Sequence, residues 1–162
     1  MKFIKELKSA VQNNDESKAK KALEKLSDDK NIPSLFALFW ELNQSHPEWA
    51  LKIAHNVVDR PAPADEVIKW EWLKAINNSC LMAIAGGPES DRLTIAMKGL
   101  EYGPENTDIF HNAACTFCSL KKEKEALMAV EMAAKYAYDA LDSMRDDTCL
   151  LYTSPSPRDK TV

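Results

Sequence analysis

Apolar residues recur along most of the chain at intervals of three and four, the spacing of one face of an α-helix, and no run alternates apolar and polar as a half-buried strand does. Phe3, Ile4, Leu7, Ala10 and Val11 form the first such stripe. Asn13-Asn14-Asp15 interrupts it, and Asp15 is a good cap for a second helix carrying Ala19, Ala22, Leu23 and Leu26. Pro33 suits the first turn of a third helix with Leu35, Leu38, Phe39 and Leu42 on one face. Ser45 is the expected cap of a fourth, which starts at Pro47 and buries Trp49, Ala50, Ile53, Ala54 and Val57. Pro61-Ala62-Pro63 marks a linker, because each proline pushes the residue before it out of helical geometry. A long helix over 65–85 carries Trp70, Leu73, Ile76, Cys80 and Ile84, and Gly86-Gly87-Pro88 turns the chain into a helix ending at Tyr102. Gly103-Pro104 makes the next turn, Asn106 or Thr107 caps a helix through Leu120, and Glu123 to Tyr138 forms its partner.

This pattern predicts an all-α fold of about four antiparallel hairpins, at 1–28, 31–60, 64–103 and 105–138, within one domain over 1–147. Sliding the chain on itself reveals a repeat. Asn112 lies 34 positions after Asn78, and at that offset Ile76 faces Phe110, Leu93 faces Leu127 and Tyr102 faces Tyr136. The segment from Ile109 to Phe117, followed by Leu120, Ala126, Val130 and Ala133, resembles the tetratricopeptide (TPR) family. Ala114 and Ala126 stand where that family places small residues at the close approach of its two helices, and Phe117 where it places an aromatic. Arg92 departs from the pattern, standing where Ala126 stands one repeat later, and Gly86-Gly87 replaces a Leu-Lys turn. The resemblance implies a right-handed α-α superhelix, with residues 139–147 as the capping helix after the last repeat.

Residues 148–162 have no helical period. The stretch from Cys149 to Asp159 resembles the translated read-through of a library adapter found at the ends of some assembled environmental reading frames. The alternative is a natural disordered Ser/Pro tail. On the adapter reading, the native chain continues past Asp147.

Composition narrows the function classes. With 25 acids against 21 bases the net charge is -4, of the wrong sign for a surface that holds nucleic-acid backbone. Only four glycines are present, and no glycine-rich phosphate-binding string occurs. The first thirty residues carry 8 Lys and 6 acids and residues 101–147 carry 10 acids and 5 bases, a gradient read as solvated helix faces. The charged N-terminus and the lack of a long uncharged apolar run predict a cytoplasmic protein without a membrane partner. Cys80, Cys115, Cys118 and Cys149 are then expected as free thiols.

Chemistry-bearing residues are few. His111, Cys115 and Cys118 fall on one helical face with zinc-ligating side chains, yet no fourth ligand accompanies them, so no metal is expected. Cys115-x-x-Cys118 lies well inside a helix, where a redox pair of that spacing belongs at a helix N-terminus. Neither histidine nor carboxylate patterning makes a case for catalysis, and no cofactor is called for. The TPR resemblance implies instead a concave groove lined by Lys74, Asn77, Asn78, Leu81 and Ile84 in the third hairpin and Asp108, His111, Asn112, Cys115 and Cys118 in the fourth. Its ligand would be an extended peptide or another protein, with Asn78 and Asn112 offering amide donors and acceptors to a peptide backbone; packing within or between hairpins is the alternative use of those two side chains. A stand-alone helical enzyme is the least supported reading. The functional alternative is a helical regulatory or oligomerisation segment of a larger, truncated enzyme or sensor, and the sequence leaves oligomeric state open. Trp70 and Trp72, two apart, cannot share a helical face, so one of them is expected at the surface.

Overall fold

Helix boundaries fall where capping chemistry and proline put them. The computed structural model describes residues 2–136 and Met144. Among the described residues there are eight α-helices: α1 Lys2–Gln12, α2 Glu16–Glu24, α3 Ile32–Leu42, α4 Pro47–Val58, α5 Glu66–Ala85, α6 Glu89–Tyr102, α7 Asp108–Ser119 and α8 Glu123–Tyr136. Short 3-10 turns at Asp29–Asn31 and Gly103–Glu105 precede α3 and α7, and no strand occurs among these residues. The expected capping segment 139–147, apart from Met144, and the tail 148–162 lie outside the described residues, as do the last two positions expected of α8. The chain divides into two compact units, residues 1–79 and the residues from Cys80 on, with the division inside α5.

In the first unit α1 packs on α2 and α3 on α4, with α1 also touching α3. Asn14 turns the first hairpin in the left-handed region at φ 56, and Asp15 then caps α2 by accepting from the Lys18 N–H at 3.1 Å. Leu7, Val11, Ala19 and Leu26 are buried between the two helices, as the stripes predict. Pro47 opens α4 as expected, but the cap position falls to His46 rather than Ser45 and makes no side-chain cap bond. Ser45 Oγ instead meets His46 Nδ1 at 2.9 Å, which removes the hydroxyl from the helix end. Asp65 caps α5 by accepting from Val67 N and Ile68 N at 2.9 and 3.0 Å. Trp72 is fully buried with its indole N–H on the Val57 carbonyl at 2.9 Å, whereas Trp70 is 54% exposed. The expected split between the two tryptophans is therefore observed.

Arg60, just beyond α4, ties that helix to the end of α2. Its guanidinium donates to the carbonyls of Leu26, Asp28 and Asn56 and to Asn56 Oδ1 at 2.7–3.3 Å. Carbonyls past a helix C-terminus have no intrahelical donor, and Arg60 supplies it. Burial pushes the guanidinium below its ordinary pKa, while the charges of Asp29 and Asp28 work the other way.

In the second unit α7 lies between α6 and α8. The close approaches are made by small residues. A Cβ on Gly99 of α6 would meet Cys80 Sγ at 2.8 Å, Ala113 Cβ at 3.0 Å and Ile109 Cγ2 at 3.1 Å, so α5, α6 and α7 converge there only because position 99 lacks a side chain. Ala126, Ala129 and Ala133 bury the facing stripe of α8. Gly87, at φ 111, and Lys121, at φ 58, stand 34 positions apart, and both have positive φ. Arg92 is accommodated by reaching away from the core, donating from Nε to the Ala83 carbonyl at 2.6 Å and from its terminal nitrogen to Ser119 Oγ. Phe110 is buried against Ala133 and Met144, and Met132 and Val130 pack on that cluster.

Candidate functional site

The residues expected to line a groove come from two helices, α5 and α7. Lys74, Asn77 and Asn78 belong to the first unit and the others to the second, so each group is described in its own unit.

On α5, Lys74, Asn77 and Asn78 are half-buried. Lys74 Nζ pairs with Glu71 Oε1 at 2.7 Å, one turn back on the same helix. Asn78 Nδ2 donates to the Lys74 carbonyl at 2.8 Å, which uses one of its amide protons inside its own helix. A side chain engaged in this way still presents its Oδ1 as an acceptor.

In the second unit, Leu81 is 47% exposed and Ile84 half-buried. Asp108 opens the first turn of α7 and is exposed, a carboxylate at the end where the helix dipole favours negative charge. His111, Asn112 and Cys118 are half-buried. Cys115 corrects the sequence reading: it is only 2% exposed and cannot meet a ligand at a surface. The cause is that α6 and α8 cover α7 from two sides. From Ala113 to Phe117 every residue is buried, leaving no open stripe at that turn. Thr116 completes the seal, its Oγ1 lying 2.7 Å from the Cys80 carbonyl and 2.9 Å from that of Asn112.

Burial pushes the Cys80 thiol up to about 12, so at neutral pH it is a packing group rather than a nucleophile. Cys80, Cys115 and Cys118 are free cysteines. Among the described residues no group of three or more His, Cys, Asp or Glu side chains is placed to hold a metal ion. No helix among them is long and apolar enough to cross a membrane.

Two further openings went unread in the sequence. An apolar cavity of about 660 Å³ lies between α6 and α8, with Leu93, Met97, Leu100 and Met132 as its walls and Lys98 and Glu101 at its rim. No spacing in the sequence locates it, because the space depends on how the two helices pack. A groove of about 560 Å³ follows the α1–α2 hairpin and is rich in lysine. Set against known proteins, no family model, no curated protein and no solved structure matches the chain, so the functional reading rests on its residues and their geometry.

Proposed function

We propose that this chain is a non-catalytic, TPR-like module of the cytoplasm, a right-handed series of helical hairpins that docks an extended peptide or a segment of a partner protein. The observation that carries the proposal is the pair of half-buried carboxamides, Asn78 on α5 and Asn112 on α7, set 34 positions apart on the first helices of successive hairpins. Positive φ at both Gly87 and Lys121, 34 positions apart, supports the same period. Within the second unit, Leu81 and Ile84 on α5 would supply apolar contact, and Asp108, His111 and Cys118 polar contact on α7. Cys115 is left out of the binding set because it is buried. Among the described residues, Cys80, Cys115 and Cys118 form no disulfide, which suits a reducing compartment.

An extended peptide carries unpaired backbone donors and acceptors, and loss of a partner for one such buried group costs about 1–3 kcal/mol. A partner is first captured from native lysate, and its binding segment is then titrated against the wild type and the Asn78→Ala/Asn112→Ala variant. Affinity is expected to fall roughly 10–100-fold in the variant, with unchanged helicity. Equal affinity in a folded double variant refutes the assignment.

A further inference from the structure

The antiparallel pairing of α1 and α2 assembles lysines that the sequence keeps apart. Lys2 and Lys5 come from α1, and Lys18, Lys21 and Lys25 from α2 and its C-terminal end, and all five line the 560 Å³ groove. Two carboxylates share it, Glu6 and Asp15, and each faces a lysine of the groove. Lys2 Nζ lies 4.0 Å from Glu6, and Asp15 caps α2 while holding Lys18 Nζ at 3.1 Å. Hydrogen bonding from the Lys18 backbone and side chain keeps the Asp15 pKa below its ordinary value. Among the described residues, Lys5, Lys21 and Lys25 have no carboxylate within ion-pair distance, and Lys25 rests over the Phe3 ring at 5.0 Å. The groove thus sets five lysines against two carboxylates, in a chain whose net charge is -4.

We propose that the α1–α2 groove is a docking site for an extended acidic peptide segment, recognised by Lys5, Lys21 and Lys25. It uses none of the residues of the α5 and α7 groove and stands without that reading. The small side chains of Ala10 and Ala22 leave depth between the helices, and Ser9 adds a polar group. The 11 residues of α1 span about 16 Å, enough for roughly five residues of extended chain. A nucleic acid is a poorer fit, since a groove with three unpaired lysines neutralises few phosphates and the chain as a whole is acidic, with net charge -4. A lipid surface is poorer still, because none of the exposed large apolar residues lies in this groove to anchor it.

The test titrates the full chain with a labelled, capped hexa-aspartate peptide, with hexa-asparagine, an oligothymidylate and phosphatidylserine vesicles as comparisons. Hexa-aspartate is expected to bind, and to weaken severalfold from about 50 to about 200 mM salt as screening tightens. Lys5→Gln/Lys21→Gln/Lys25→Gln is expected to lose about tenfold in affinity, and Lys21→Gln alone about two- to threefold should the triple variant lose helicity. Lys98→Gln/Lys124→Gln/Lys135→Gln, an equal charge change in the other unit, and Asn78→Ala/Asn112→Ala are expected to bind as the wild type. The proposal is overturned if hexa-aspartate fails to bind or binds no better than hexa-asparagine, if the groove variants bind unchanged, or if the control charge variant loses as much. Tighter binding of oligothymidylate or of the vesicles overturns it as well.

Discussion

Gly103→Ala sets two physical effects against each other, and the structure decides the sign. Gly103 has φ -51, which alanine adopts without strain, so the loss of unfolded-state freedom alone would stabilise the chain by about 0.4–1 kcal/mol. The added methyl, however, would sit 2.2 Å from Phe110 Cε1 and 2.5 Å from Cδ1. Carbon atoms rest about 3.5–4.0 Å apart, so the ring would have to withdraw by roughly 1.3 Å or more. It has nowhere to go. Phe110 is fully buried, packed on Ala133 and Met144, and its ring lies 6.2 Å from that of Tyr136. Overpacking of this kind costs about 1–3 kcal/mol, and a ring displacement of this size with no room to move belongs at the upper end of that range, which leaves a net destabilisation of about 1–2.5 kcal/mol. Urea unfolding followed by far-ultraviolet circular dichroism reads this as a lower midpoint. Phe110→Leu should make room for the methyl, so the double variant should be less destabilised than the sum of the singles by about 1 kcal/mol. A Gly103→Ala chain as stable as the wild type, or strictly additive singles, would refute the close-approach argument.

Three further outcomes follow from other positions. Arg60→Met strips the carbonyls of Leu26 and Asp28 of their donor and should lower stability by about 2–4 kcal/mol in the same unfolding assay. Lys121→Gly should raise stability by about 0.5–1 kcal/mol, because the residue sits at φ 58 where a side chain is strained. The Cys80 thiol, raised to about 12 by burial, should resist alkylation at pH 8 until the chain unfolds. Its folded value lies above its unfolded one, so its contribution is fully present below about pH 8.5 and is lost as pH rises toward 12, a decline that Cys80→Ala should flatten.

Local chemistry was the legible part of this fold. Asp15 reads as a cap because its carboxylate can reach the first free N–H groups of α2, and it does. Proline at 47 sits in the first turn of α4 as its missing N–H dictates. What escaped depends on which other segment covers a residue. Cys115 shares a helical face with His111, but a helix covered on two sides has no open stripe there, and spacing within one helix cannot report its neighbours. Arg60 lies past the end of a periodic segment, where periodicity is silent. Gly99 left a clue, since glycine inside a helix is costly without a packing reason, and three converging helices provide one. Glycine at 103 reads as turn chemistry, yet its φ is ordinary and the constraint comes from Phe110. For the candidate site, the positions of Asn78 and Asn112 on α5 and α7 were readable. The hydrogen bond that occupies one Asn78 proton was not, nor was the meeting of lysines from both ends of the first hairpin.

The placement of tryptophan gives this chain an optical asymmetry. Trp40, Trp49, Trp70 and Trp72 all precede residue 80 and so belong to the first unit. Trp72 is sealed in the interior with its indole N–H bonded, whereas Trp40 and Trp70 face solvent. Excitation at the red edge of indole absorption therefore addresses one half of the molecule alone, and an aqueous quencher divides that emission into an accessible and a protected share. The four tyrosines all follow residue 100 and are silent in that band, so the residues from Cys80 on contribute nothing to it and melting of the first unit is read by itself.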